Sequence, residues 1–147
     1  MALHMARAIP IIKIYRTLLV SVQGELSDSL VLELKDGIGR AVAHYDVDSL
    51  IIELSGIDVL DSYIARSVRD LAQMSRLMGV RTVVTGLRPG MAATLVEMGM
   101  EMDGVGTALN LESALAMTAG LRQSRNGRNA DWPGVSAAIL DEGDGPS

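Results

Sequence analysis

An α/β fold built on a mixed β-sheet is predicted by three features of this sequence. Two short β-prone runs open it, at residues 9–14 and 17–22. A compact apolar run, SLIIEL at residues 49–54, has the composition of a central strand covered on both faces. From there helix-period stripes alternate with short strands, the pattern of right-handed β-α-β crossovers. The predicted order is β-β-α-β-α-β-α-(β)-α, with the helices packed against the sheet on one face or on both.

Each element follows from local chemistry. The opening runs are separated by Tyr15 and Arg16 and read as a hairpin or two neighbouring strands. Ser27 and Asp28 supply N-cap chemistry for a helix reaching about Ala43, with Leu30, Leu34, Ile38 and Ala41/Val42 at helical spacing. Gly37 and Gly39 weaken its last turns by about 1 kcal/mol each relative to Ala. A loop at 55–61 leads into a second helix over 62–78, where Ile64, Val68, Leu71, Ser75 and Met78 form one stripe. Arg66, Arg69, Asp70, Gln73 and Arg76 fall away from that stripe. Gly79 occupies the position of a left-handed helix stop. A strand is expected at 81–85, then a helix opened by Pro89 and closed by Gly99. A weaker strand at 100–105 and a helix from the Asn110 cap to about Gly120 complete the pattern. The expected division is a flexible N-terminus at 1–8, a folded domain at 9–121 and a mobile tail at 122–147, in which Trp132 is the one residue able to anchor and is expected to be loosely packed.

Composition excludes several function classes. The 147 residues are 48% hydrophobic and 21% charged, enough for one core plus spare chain. With no Cys, no disulfide, thiolate nucleophile or Cys-based metal site can form. No Phe, one Trp and three Tyr leave few platforms for stacking bases, and a net charge of -5 disfavours a polyanion-binding surface. Nucleic acid is therefore not an expected partner. The run at 9–22 is broken by Lys13 and Arg16, so no stretch reaches the roughly 18 apolar residues of a membrane span. The N-terminus lacks the pattern of a signal peptide, and a cytoplasmic location is expected.

Enzymatic readings find little support. The two His, His4 and His44, are far apart, which makes a Ser-His-Asp arrangement improbable. The glycine pairs Gly37/Gly39 and Gly104/Gly106 lack the third glycine of a dinucleotide fingerprint, and no phosphate-binding loop motif is present. Asp58 and Asp61 follow the buried strand, where α/β folds place Mg²⁺ ligands or a phospho-accepting Asp. A receiver of that kind needs a Lys at a neighbouring strand end, and the two Lys, Lys13 and Lys35, lie elsewhere. A metal-dependent phosphotransfer enzyme on Asp58 and Asp61 is the remote alternative. The plainer reading has one Asp capping the helix and the other solvated; no metal or cofactor is expected.

The distribution of charge is more informative. Between residues 41 and 65 lie the acids Asp46, Asp48, Glu53, Asp58 and Asp61, with no Lys or Arg. Between 66 and 88 lie Arg66, Arg69, Arg76, Arg81 and Arg88, with Asp70 the one acid. The sign changes across Ser62, at the mouth of the second helix. Ser62 could cap that helix, but Asp61 could do so equally well and leave the hydroxyl pointing outward. Phosphorylation there would add roughly -1.5 to -2 charges, accommodated by the helix N-terminus yet repelling a partner that accepts the acidic surface.

The stretch Asp58-Val-Leu-Asp61-Ser62-Tyr63-Ile64-Ala65-Arg66 after SLIIEL resembles the loop and helix start of STAS domains, the anti-sigma-factor-antagonist fold. IPIIKIYRTLLVSVQGEL (9–26), MSRLMGVRTVVTGLRPGMAATLVEMG (74–99) and TALNLESAL (107–115) narrow the resemblance to the RsbS group, the single-STAS-domain members of the bacterial stressosome. It covers about residues 9–121. The resemblance implies a non-enzymatic scaffold that co-assembles with RsbR-like co-antagonists into a large shell and sequesters an RsbT-like serine/threonine kinase. It also implies phosphorylation on Ser62, release of the kinase, and resetting by an RsbX-like phosphatase. Asp58, Asp61, Tyr63 and Arg66 become candidates for the kinase interface. Thr85, on residues alone a strand-end residue, matches a second acceptor of some members. A sporulation-type antagonist, binding an anti-sigma kinase one-to-one through the same serine, is the nearer alternative.

Overall fold

A computed structural model describes residues 9–97 and 105–127, with side chains to residue 120. The opening pair is a hairpin: β1 (Ile11–Ile14) runs antiparallel to β2 (Thr17–Gln23), with Ile14 opposite Thr17. Helix α1 (Asp28–His44) follows, then β3 (Ser49–Gly56), α2 (Ser62–Leu77), β4 (Arg81–Thr85), α3 (Pro89–Glu97), β5 (Val105–Ala108) and α4 (Leu111–Gly127). The sheet order is β1-β2-β3-β4-β5, and every pairing after the hairpin is parallel.

That order decides which face the helices cover. From β2 to β5 the chain steps always in one direction, so right-handed crossovers place α1, α2 and α3 on the same side. The strands alternate accordingly. Leu18, Val20, Val22, Leu50, Ile52, Leu54 and Val84 face the main core, with Leu34 and Ile38 of α1, Val68 and Leu71 of α2, and Met91 and Leu95 of α3. After β5 no crossover remains to be made, and α4 folds onto the opposite face. There Ala114 packs on Leu19, Ile51 and Val83, flanked by Leu111 and Leu115. β3 is thus sandwiched, which explains why Leu50, Ile51 and Ile52 are consecutive apolar residues and all buried.

Local signals operate as expected in most places. Ser27 caps α1, accepting the Leu30 N–H at 3.2 Å. The two glycines do not end that helix, which continues to His44 with Ile38 wholly buried. In α2, Ile64, Val68, Leu71 and Ser75 are buried; Ser75 and Ser67 return their hydroxyls to the Leu71 and Tyr63 carbonyls at 2.8 Å, so both sit in a dry stripe without an unmet polar group. Met78 departs from the stripe: it is the C-cap and 39% exposed. Gly79 adopts φ +84, the expected left-handed stop.

Two expectations shift near the C-terminus. The last strand is Val105–Ala108 and overlaps the expected 100–105 only at Val105, because pairing with β4 selects Thr82 opposite Val105 and Thr85 opposite Ala108. Asn110 caps α4 as expected, accepting the Ser113 N–H at 2.8 Å. The helix does not stop near Gly120 but continues to Gly127. Leu121, Arg122 and Gln123 are good helix formers, and one internal glycine costs only about 1 kcal/mol. The helix thus takes in residues 122–127, the start of the segment expected to be a tail. Gly99, the proposed N-terminal segment and Trp132 lie outside the described residues.

Candidate functional site

The C-terminal ends of β2, β3 and β4 share one rim, and the connections leaving it carry the candidate residues. After β3, Ile57 donates its N–H to the Leu54 carbonyl at 3.0 Å and turns into the core. Leu60 is buried as well, so Asp58 and Val59 between them are held outside, Val59 at 73% exposure. Asp61 then caps α2: its carboxylate accepts the Ile64 N–H at 2.8 Å and its carbonyl the Ala65 N–H at 3.0 Å. Ser62 follows as the first helical residue and is exposed. Because the cap is made by Asp61, the Ser62 hydroxyl has no capping task. The N–H groups of Ser62 and Tyr63 have no intrahelical acceptor, as at any helix start.

Tyr63 is half-buried, and its phenol donates to the Asp28 carboxylate at 2.6 Å, tying the start of α2 to the start of α1. The hydrogen bond to Asp28, then desolvation and the negative charges of Asp28 and Asp61, push the phenol above its ordinary pKa. Arg66 is exposed one turn along from Ser62, at the i,i+4 spacing where side chains on a helix meet. An open cleft of ≈ 530 Å³ separates the β2–α1 connection from this loop, with Glu25, Asp58, Asp61 and Tyr63 among its lining.

Thr85 differs from Ser62 in every respect that matters for modification. It ends β4 opposite Glu53, is fully buried, and its hydroxyl has no hydrogen-bond partner among the described residues. Gly86 beside it has φ +84, and a Cβ there would meet Glu53 Oε2 at 2.5 Å and the Ser55 nitrogen at 2.6 Å. A kinase could reach the Thr85 hydroxyl only if this turn opened. Asp61 is engaged as the cap of α2, and among the described residues no three His, Cys, Asp or Glu side chains group as ion ligands.

The charge pattern is rearranged by the fold. Asp46 and Asp48 lie at the opposite rim, where both pair with Arg16, at 3.0 and 3.6 Å, and Asp48 is nearly buried. The eight residues of β3 separate them from Asp58 by about 26 Å at ~3.3 Å per residue. Glu53 is turned back onto Ser55, accepting its N–H at 3.1 Å and its hydroxyl at 2.8 Å. Of the five acids, only Asp58 and the capping Asp61 stand at the Ser62 rim; Glu25 and Asp28, which the linear count omitted, join them from the β2–α1 connection. The arginines divide similarly, Arg76 and Arg81 to the far rim and Arg88 back to the near one. Arg88 donates to the Ile57 and Asp58 carbonyls, the latter at 3.1 Å.

The site is therefore an exposed hydroxyl on a fixed helix start, surrounded by carboxylates. The STAS domain family model matches residues 8–114, and the chain belongs to that family. Among solved structures it is similar to a serine-to-glutamate variant of RsbS from Moorella thermoacetica, with TM-score 0.69 and 30% identity over 78% of this chain and 97% of that one. It is similar also to a chain in a structure of the stressosome, described as a signal integration and transduction hub, with TM-score 0.70 and 31% identity over 78% and 99% of the two chains. A curated relative is the RsbT co-antagonist protein RsbRB of Bacillus subtilis, 30% identical over 67% of this chain. The chain spans only 36% of that relative's length. Among the described residues no helix is long and apolar enough to cross a membrane.

Proposed function

We propose that this STAS protein is a phospho-switch scaffold that holds an RsbT-like serine/threonine kinase and releases it when Ser62 is phosphorylated. One observation carries the reading: Asp61 supplies the cap of α2 and leaves an exposed hydroxyl on the first helical residue, on the rim that also carries the exposed Asp58. The similarity to RsbS, to a stressosome chain and to an RsbT co-antagonist supports RsbR-like STAS proteins as co-assembling subunits; on this reading an RsbX-like phosphatase resets the serine.

The physics of the switch is local. A phosphate on Ser62 sits at the positive end of α2, and Arg66 lies within one turn to compensate it. Outward, it adds negative charge beside Asp58 and Asp61 and repels any partner surface matched to the unmodified rim. The protein itself needs no catalytic group, cofactor or metal for this. Thr85 is a secondary acceptor on this reading, available only when the β4–α3 turn opens.

Incubation with the cognate RsbT-like kinase and ATP, followed by mass spectrometric mapping, is expected to place phosphate on Ser62. Ser62→Asp is expected to weaken kinase binding at least about tenfold, the loss of ~1.4 kcal/mol that a like charge at an interface readily imposes. Phosphate absent from Ser62, or kinase binding indifferent to Ser62→Asp, overturns the reading. Mixing with an RsbR-like partner should give a large particle in size-exclusion chromatography. A small one-to-one complex with an anti-sigma kinase instead would assign the chain to the sporulation type of antagonist.

A further inference from the structure

The loop that presents Ser62 is held by a residue from a different connection. Ile57 and Leu60 anchor it in the core and Asp61 ends it at the cap, but the carbonyls of Ile57 and Asp58 between those points belong to no helix or strand ladder. Both are taken by one terminal nitrogen of Arg88, which lies 31 and 30 residues further along the chain. Arg88 is itself well placed to act as a brace. It stands between Leu87, which packs against the main core, and Pro89, the first residue of α3. Upstream, Gly86 is wedged against Glu53 and Ser55. Among the described residues no carboxylate lies within ion-pair distance of the Arg88 guanidinium, so its bonding there goes to backbone carbonyls and not to a competing acid.

We infer that Arg88 is a positioning residue for the Ser62 switch: by bridging the β4–α3 turn to the β3–α2 loop, it fixes the conformation in which Asp58 and Ser62 are offered to the kinase. The inference rests on Ser62 being the phospho-acceptor. It also implies a coupling. Any opening of the β4–α3 turn, including one that uncovers Thr85, breaks the two bonds to Ile57 and Asp58 and slackens the Ser62 loop. A planar guanidinium suits this task because a single terminal nitrogen carries two N–H donors at fixed angles; an ammonium supplies a point charge without that geometry.

The test uses the full chain with Arg88→Ala and Arg88→Lys. Amide hydrogen exchange read at residues 57–62 is expected to accelerate about tenfold in Arg88→Ala, the loss of one to two charge-assisted hydrogen bonds from an exposed loop, with β3 and β4 unchanged. Arg88→Lys should fall between that variant and the wild type. In the kinase reaction KM for the Arg88→Ala protein should rise several-fold, about as much as the loop loses in preorganised population, while kcat stays near the wild-type value. Exchange at 57–62 indistinguishable from wild type overturns the inference, as does a fall in kcat with KM unchanged. If the loop loosens but the wild-type protein takes no phosphate at Ser62, the brace stands as a structural feature and the assignment of the switch is what fails.

Discussion

Asp61 and Ser62 are adjacent, polar and each chemically able to cap α2, yet the Ile64 N–H is bound by Asp61. Asp61→Ala should therefore cost about 1 kcal/mol of folding stability, whereas Asp61→Ser should retain most of it, both measured by urea unfolding. Ser62→Ala should stay within about 0.5 kcal/mol of the wild type, as an exposed residue with no cap to lose. Tyr63 makes a pH-dependent contribution. Its phenol is raised by the bond to Asp28, so the protonated form is favoured in the folded state. The stabilisation is fully present below the unfolded phenol pKa of about 10 and is lost as pH rises from there through the higher folded value. Stability curves for wild type and Tyr63→Phe should thus run parallel below that point and converge above it. A difference that persists unchanged into strong alkali would show that the Asp28 contact is not its source.

At the scale of elements, helices and strands were legible wherever a strong local signal and a buried stripe coincided. Ser27 before a periodic run, Gly79 after one and the apolar SLIIEL all carried their meaning in the chain itself. β5 was not legible in that way. In its four residues, VGTA, the β-prone Val105 and Thr107 are interleaved with strand-disfavouring Gly106 and Ala108, and their place is set by pairing with β4. The length of α4 was missed because its hydrophobic stripe fades before its backbone does. Two substitutions test the packing that the elements impose. Gly86→Ala forces a left-handed backbone on a side chain whose Cβ meets the Ser55 backbone nitrogen at 2.6 Å, and should destabilise by about 2 kcal/mol or more. Ala114→Leu overfills the narrow contact of α4 with Leu19, Ile51 and Val83, and should cost about 1–3 kcal/mol in thermal or urea unfolding.

For the molecule as a whole, the one property most misjudged in linear form was charge. Counting acids before Ser62 and arginines after it treated the chain as a surface, although β3 carries its two ends to opposite rims. Three of the five acids in that run are spent on Arg16 and Ser55, and the site draws Glu25 and Asp28 from a distant stretch. Only the position of Ser62 itself, beside a second capping residue, survived translation into space intact. The same layout predicts that switching leaves the fold alone. Ser62→Asp should unfold within about 2 °C of the wild type, since the new charge lies exposed at the positive end of a helix. A large drop in Tm would mean that release of a partner works through loosening of the domain.

The one-way march of β2 through β5 leaves a quiet border on the molecule. The β-turn at Tyr15 and Arg16, the α1–β3 connection around Asp46 and the α2–β4 connection at Gly79 all emerge at the rim away from Ser62. Those joints can be lengthened or recoded without disturbing the start of α2 at Ser62. An experimenter can do the same: a fluorophore inserted beside Gly79 would sit about the length of the 16-residue α2, roughly 24 Å at ~1.5 Å per residue, from Ser62, near enough for energy transfer to a label on the proposed kinase partner and too far to obstruct it.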